Sequence, residues 1–395
     1  MNNVLTNEEI KFLAASKYDW AVTTRRELHK IPEEGFKEIK TKRLIAQKLS
    51  ECGIDYTVDE RGWITAFIKG AFSGPVTGFR ADIDALPVTE PAGCPFGSTH
   101  PGYMHACGHD MHTAIMLAAG SAINDIKDRL HGGVKLMFQP AEETDGGAKP
   151  MTENGVMENP HVDRVYGLHV MPRLVVGQVE CRPGTLNAGI NSVTITVNGT
   201  AAHGAYPENG CDAIVCACQL VCALQTLVAR NVSPLESAVL TIGVIEGGKA
   251  SNIICDRVTL KGTLRTANPI LRSMLIKRIT EASNGVCAAL GCSAEVLIED
   301  GYAPLVNSKA HSDRVLRLAS RLFGSDHALV KEAPSMGGED FSYFLEKAPG
   351  AFFHVGCSSD AEHIGAGLHS EKFAPDERAM LIGTMMDIAL AFEED

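Results

Sequence analysis

The sequence predicts an α/β fold: a core with a mostly parallel sheet flanked by helices, and a smaller α+β domain inserted into it. Three observations carry this expectation. Strand and helix patterns alternate as far as Pro183, which is the signature of a parallel sheet with helical crossovers. The pattern then changes to half-exposed alternating strands in the order β-α-β-β-α-β. After Gly301 strands and helices of the first type return, including GAFFHVG. The expected boundaries are 1–182 with 297–395 for the discontinuous core domain and 183–296 for the insert.

The elements follow in order. Thr6 and Glu9 match a capping box, and Ile10, Leu13, Ala14, Trp20 and Leu28 continue at helical spacing until Pro32. Thr41 to Leu49 reads as a second helix, stopped near Gly53. WITAFIKG and VTGFRADID are rich in β-branched and aromatic residues and read as strands. TAIMLAAGSAI (113–123) is apolar enough for a buried helix. VKLMFQP, from Val134, and VDRVYGLHV, around Val165 to Val170, are further strands. In the insert, Asn191 to Thr200 alternates, a helix runs roughly from Asp212 to Arg230, and AVLTIGVIEGG with RVTLKGTLRT form two more strands. SMLIKRITEASNGVCAAL is a helix and SAEVLIED the last strand of the insert. No internal repeat and no low-complexity linker is visible.

Composition narrows the function classes. At about 150 residues per domain, 395 residues suggest two or three domains. The 45% hydrophobic and 21% charged fractions are those of a globular chain. With 36 Lys+Arg against 48 Asp+Glu, the net charge is −12, and no basic stretch exists to meet nucleic-acid phosphates. The polar, acidic start lacks a signal pattern, and no window reaches the 18 or so apolar residues that span a bilayer. The expectation is a cytoplasmic protein with neither membrane nor nucleic acid as partner. The twelve cysteines are expected to be reduced, several of them buried in apolar runs such as AIVCACQLVCALQTLV. Cys218 and Cys222 stand at i and i+4, but no His or carboxylate joins them as a metal ligand.

Chemistry-bearing residues concentrate at five places. MHACGHDMH places His105, His109 and His112 around Cys107, with His100 upstream and Gly108 to permit an unusual turn before a helix that Asp110 can cap. Ala141-Glu142-Glu143 follows the VKLMFQP strand, where α/β sheets present ligands; one carboxylate of such a pair can hold a metal while the other serves as general base. A solvated turn would account for the pair equally well. His169 lies near a strand end, and His369 stands in GAGLHS, where Gly365 and Gly367 free the backbone. Asp82 and Asp84 close the RADIDALP strand and can orient a ligating His from behind, or simply form a turn. One Cys, three His and at least one Glu at one sheet edge suffice for two metal ions that share a ligand. The spacing alone leaves open which of His105, His109 and His112 ligates.

The ordered set HKIPEEGFKE, RADIDALPVTE, MHACGHDMH, FQPAEE, GLHVMP, AAHGAYP, GTLRT, SMGGEDFSYF and LHS resembles the dinuclear metallopeptidases of the aminoacylase and carboxypeptidase type. Within them it is similar to the amidohydrolase branch of N-acyl-amino-acid amidohydrolases, hippurate hydrolases and auxin-conjugate hydrolases. The matches run from about His29 to Ser370. The resemblance implies two divalent ions per subunit (manganese, zinc or nickel) and an inserted lid domain that pairs with its twin in a homodimer. It implies that Cys107 bridges the ions, where much of the wider superfamily has Asp, and that His109, Glu143, His169 and His369 complete the ligands. It gives Glu142 the role of general base, His203 that of meeting the scissile carbonyl, often that of the partner subunit's active site, and Asn252 and Arg265 that of holding substrate. Two departures stand out: Cys255 replaces a Pro common in NIIPD, in what should be a loop, and Glu208 replaces a His common after the Pro of AAHGAYP.

The expected activity is metal-dependent hydrolysis of the amide bond of small N-acyl-amino acids, N-acetyl or N-benzoyl, to a carboxylic acid and an amino acid. An N-acetyl-diaminopimelate deacetylase and a dipeptidase are the alternatives within the family. A thiol hydrolase using Cys107 with His109 leaves the Glu pair unexplained. A non-catalytic metal-bearing binding module is the alternative of another class.

Overall fold

The computed structural model describes residues 5–360 and 365–393. The chain divides into two compact units, one of residues 1–184, 306–332 and 340–395, the other of 185–305 with 333–339. The insert expected over 183–296 is thus longer at its end. Strand Ser293–Asp300 stays paired with Gly189–Asn198 as far as Asp300 opposite Asn191, so a boundary at 296 would cut a continuous ladder.

The first unit is built on an eight-stranded sheet. Its four central strands, His131–Gln139, Phe72–Asp82, Arg164–Val175 and Gly350–Ser358, are mutually parallel in that spatial order. Gln139 stands opposite Asp82, and Gly167 opposite Arg80, so the ends of these strands reach one edge together. Antiparallel strands occur toward the sides of the sheet: Ile64–Lys69 pairs with His131–Gln139, and Val179–Cys181 with Gly350–Ser358.

Helix His109–Asp125 has every residue from His109 to Ile123 buried, which is how a helix apolar on all sides is accommodated. It packs against helices Asn7–His29 and Ala379–Phe392. The Thr6 capping box starts the former: the Thr6 hydroxyl accepts from the Glu9 amide, and the Glu9 carboxylate accepts from the Thr6 amide at 2.8 Å. Gly108 caps helix His109–Asp125 in the left-handed region (φ 85°), and a Cβ there would stand 2.5 Å from Val170 Cγ2. Glycine is required twice over, by conformation and by space.

The second unit has the expected β-α-β-β-α-β order. Its strands Gly189–Asn198, Ala238–Gly247, Arg257–Thr266 and Ser293–Asp300 form one antiparallel sheet, with the two long ladders of Arg257–Thr266 at its centre. Helices Ala213–Asn231 and Pro269–Ala289 pack on it, and Leu220, Leu224, Leu227, Leu275 and Ile279 fill a core of their own. Helix Ala213–Asn231 corrects the expectation that no stretch could cross a bilayer: by length and composition it is long and apolar enough. Its Cys216, Ala217, Leu220, Leu224 and Leu227 nevertheless turn inward as the apolar stripe of a core helix. Cys255 lies between strands, as expected, but is buried, with its thiol donating to Arg257 O at 3.0 Å.

Asp387, in helix Ala379–Phe392, is 4% exposed, and burial pushes its carboxyl well above the usual carboxylate range. An acid whose folded pKa is raised holds a proton that the unfolded chain has lost, so its contribution falls as pH rises above the unfolded value of about 3.9. Asp387→Asn should therefore melt with the parent near about pH 4 and increasingly above it toward about pH 8. Circular dichroism melts across that range check this; a difference that does not change with pH contradicts it.

Candidate metal centre

The C-terminal ends of the parallel strands, where α/β sheets present ligands, carry the residues singled out by the sequence. Asp82 ends one strand and Asp84 follows it; Glu142 and Glu143 follow Gln139; His169 lies two residues beyond Gly167. Cys107 and His109 come from the turn into helix His109–Asp125.

Ala141, which precedes the Glu pair, has a positive φ of 56°, a conformation that costs about 1–3 kcal/mol in a residue other than glycine. Neighbours hold it there. The Ala141 amide donates to Glu38 Oε1 at 3.0 Å, and the Glu143 amide donates to Asp84 Oδ2 at 3.0 Å. Glu38 is fully buried, and burial pushes its carboxyl up to about 7. His369 is also at positive φ, 64°, and its amide donates to Ala106 O at 2.9 Å.

Two groups of donors have their ligand atoms within 4.8 Å of one another and share a thiol: Cys107, His109 and His169, and Cys107, Glu143 and His369. A third group joins His109 to Glu142 and Glu143. Cys107 Sγ is 3.3 Å from His169 Nε2, and His369 Nε2 is 3.0 Å from Glu143 Oε1. The imidazoles are oriented for ligation from their far sides. His109 Nδ1 lies 3.0 Å from Asp84 O, and His169 Nδ1 lies 2.7 Å from Val170 O; each must donate to its carbonyl, which leaves the Nε2 lone pair facing the cluster.

His109 Nε2 is buried with no hydrogen-bond partner, and such an atom calls for a cation or a donor. A thiol, three imidazoles and a carboxylate form a donor set suited to zinc, manganese or nickel. Burial, then the Glu143 and Glu142 carboxylates, push the Cys107 thiol well above its usual value; only cations would make it a thiolate there. The residues fit a pair of divalent ions.

The three histidines of MHACGHDMH, which spacing left open, are told apart by their hydrogen bonds. His112 Nε2 accepts from the Val170 amide at 2.9 Å, and its Nδ1 donates to Asp82 Oδ1 at 2.6 Å, so it has no lone pair to offer. His105 is buried with neither nitrogen bonded and belongs to none of the three groups above. Asp84 holds His109, while Asp82 holds His112, whose ring stands edge-on to His169 at 4.6 Å.

Sequence reasoning missed what lies beneath Asp82. Arg80 is fully buried and reaches Asp82 Oδ2 at 2.7 Å, Asp340 Oδ1 at 2.8 Å and Gln139 Oε1 at 2.7 Å. Gln139 in turn donates to Asp340 Oδ2 at 2.7 Å. Burial opposes the charge on Asp82, but His109, His112 and Arg80 hold its carboxyl well below the usual range. The available signal was an Arg two residues before an Asp on a strand otherwise apolar, which places both on one face.

His203, Asn252 and Arg265 belong to the second unit. His203 and Asn252 are exposed neighbours: His203 pairs with Ile253, and the Gly204 amide donates to Asn252 O at 2.8 Å. Arg265 lies apart from them on Arg257–Thr266 and donates to Met336 O at 2.9 Å.

Comparison with known proteins agrees with this geometry. The profile of peptidase family M20/M25/M40 matches residues 78–391. The chain is 40% identical to the N-acetyl-L-cysteine deacetylase of Bacillus subtilis over 359 residues, covering 90% of this chain and 84% of that one. It is 39% identical to the N-acetyldiaminopimelate deacetylase of Bacillus velezensis over 366 residues, covering 91% and 94%. The crystal structure of the YXEP protein of Bacillus subtilis, a dinuclear metal binding peptidase from the M20 family, superposes with a TM-score of 0.83 at 31% identity and covers 96% of this chain and 98% of that one. A buried thiol–imidazole–carboxylate cluster at the end of a parallel sheet, in a chain matched over this length, shows that the protein belongs to peptidase family M20/M25/M40 and is an amidohydrolase.

Proposed function

We propose that the protein removes the acyl group, acetyl above all, from small N-acyl-amino acids. The observation that carries this reading is the convergence of Cys107, His109, Glu143, His169 and His369 with Glu142 beside them at the sheet edge. The relatives at 40% and 39% identity are both named as deacetylases of N-acetylated amino acids, which favours acetyl over benzoyl as the acyl group removed. N-acetylcysteine and N-acetyldiaminopimelate are the first substrates to consider.

Two divalent ions held by Cys107, His109, Glu143, His169 and His369 would supply positive charge that polarises the amide carbonyl and acidifies water. Glu142 takes the proton of the attacking water and delivers it to the leaving amine; it is buried and adjacent to Glu143. Asp84 keeps His109 in the tautomer that presents Nε2. His203 donates a hydrogen bond to the oxyanion, and Arg265 with Asn252 receives the amino-acid carboxylate. The family resemblance supports these last three roles, as does the exposure of His203 and Asn252.

The protein is further proposed to act as a homodimer in the reducing cytoplasm. All twelve cysteines are free thiols. The second unit exposes Ile214 and Val215 on its first helix and Val239, Val244 and Ile245 on the edge strand Ala238–Gly247. An edge strand rimmed with apolar side chains favours a partner strand, here from a second copy.

Release of amine from N-acetyl-, N-benzoyl- and dipeptide substrates tests the activity, with protein stripped by chelator and then reloaded with Mn²⁺, Zn²⁺ or Ni²⁺. Metal-dependent release from N-acetyl-amino acids is expected; release that survives chelation would point instead to the thiol hydrolase. Glu142→Gln should retain its ions, counted by mass spectrometry, and lose roughly 10²–10⁴ in kcat. An active Glu142→Gln enzyme would remove the assigned base. Ile245→Asp should shift the light-scattering mass from dimer to monomer, since a charge on an apolar interface is desolvated without a partner.

A further inference from the structure

The core of the second unit contains four thiols that the proposed chemistry does not use. Cys211 and Cys216 flank the first turn of helix Ala213–Asn231, and Cys287 and Cys292 flank the end of helix Pro269–Ala289. Both pairs have the spacing C-x4-C. The two helices pack together, and the start of one meets the end of the other.

Two of the sulfurs are in direct contact, and the segments that carry the other two cysteines fold beside them. Cys216 Sγ is 3.5 Å from Cys287 Sγ. The Cys292 amide donates to Cys287 O at 2.8 Å, folding the chain back over the helix end. Gly291 makes that turn at φ 73°, and a Cβ on it would lie 3.2 Å from Cys211 Sγ. Cys211 is fixed in turn by paired backbone hydrogen bonds with Thr200. Cys216 and Cys287 are fully buried, Cys292 is 9% exposed, and Cys211 is partly exposed, so the cluster has one open side.

Three readings compete for such a cluster. Filling core volume asks for alanine or valine and gives no reason for four sulfurs on two matched spacings. A disulfide requires about 2.05 Å between sulfurs and uses two of the four. Burial also pushes Cys216 and Cys292 up to about 11, which slows their attack on an oxidised sulfur; a bound cation would itself supply the charge that draws off their protons. A cation about 2.3 Å from each of four tetrahedral sulfurs sets them about 3.8 Å apart, within a few tenths of an ångström of the Cys216–Cys287 separation.

We propose that Cys211, Cys216, Cys287 and Cys292 form a thiolate site for one soft divalent cation of the zinc class, tying the start of one helix to the end of the other. Uptake converts four thiols and M²⁺ to a tetrathiolate complex of charge −2 and releases four protons, with no change of oxidation state. Cys218 and Cys222, the pair suggested by helical spacing, are exposed and face away from this cluster's buried thiols.

The test uses the full chain, reduced, equilibrated with Zn²⁺ and passed through gel filtration, beside Cys211→Ser and Cys292→Ser. Metal analysis should find one more ion per chain in the parent than in either variant, with amidohydrolase turnover unchanged. Zn²⁺ should also shield the Cys211 and Cys292 peptides from alkylation by iodoacetamide. Equal ion counts in parent and variants, or equal alkylation with and without Zn²⁺, would overturn the site. So would recovery of a Cys216–Cys287 disulfide peptide after hydrogen peroxide treatment of the zinc-equilibrated protein. If Cys292→Ser loses its near-ultraviolet dichroism, Cys211→Ser, at the partly exposed rim, carries the comparison.

Discussion

A guanidinium with no access to water underlies the candidate centre. Arg80 reaches Asp82, Asp340 and Gln139 from the middle of the parallel sheet, and Gln139 closes the loop by donating to Asp340. A buried charge is tolerated only when its donors are filled, and removing one partner of such a pair typically costs about 3–5 kcal/mol. The network therefore fixes two adjacent strands, the turn that carries Asp340 and the Ala148 amide, which also donates to Asp340, in one arrangement. Asp82 passes that order to His112, and His112 passes it to the Val170 amide beside His169. The imidazole facing the cluster is thus located by a chain of hydrogen bonds that begins at Arg80.

A parallel route fixes the other side. Asp84 accepts from the Glu143 amide and holds His109, while Glu38 accepts from the Ala141 amide at the strained turn. The cost of the positive φ at Ala141 is offset by these bonds and by the close fit of Gly35, where a Cβ would meet Ala141 at 2.8 Å. The strained residue stands immediately before Glu142, where a small change of backbone direction would displace both carboxylates.

Much of this was legible in the sequence, and the reasons differ between parts. The alternation of strand and helix patterns and the change of period in the insert follow directly from which faces are buried, so fold class could be read. Four of the five candidate segments were visible because His, Cys and paired Glu are uncommon in apolar runs, and strand ends indicated where they would meet. What could not be read depends on pairing across the sheet. Nothing in a one-dimensional pattern tells that Gln139 lies opposite Asp82, or that Asp340, far along the chain, completes the shell of Arg80. The choice among His105, His109 and His112 likewise turned on single hydrogen bonds to Val170 and Asp84. The boundary at 296 cut through SAEVLIED, the strand that the pattern itself gives to the insert, whereas its ladder runs on to Asp300. The membrane-length helix was missed because counting uninterrupted apolar residues overlooks a stretch whose mean hydropathy stays high across Gln and Thr.

Helix His109–Asp125 has no exposed face along the length that carries its first fifteen residues. A segment enclosed in this way cannot fray independently; its amides can meet water only when the surrounding unit opens, so their exchange with deuterium reports the global stability of the fold. Cys107 and His109, at its entrance, inherit that immobility. His369 sits in irregular backbone, with its side chain about half exposed. Of the candidate ligands, His369 is thus the one set in exposed, irregular backbone, while Cys107 and His109 stand at the entrance of an enclosed helix.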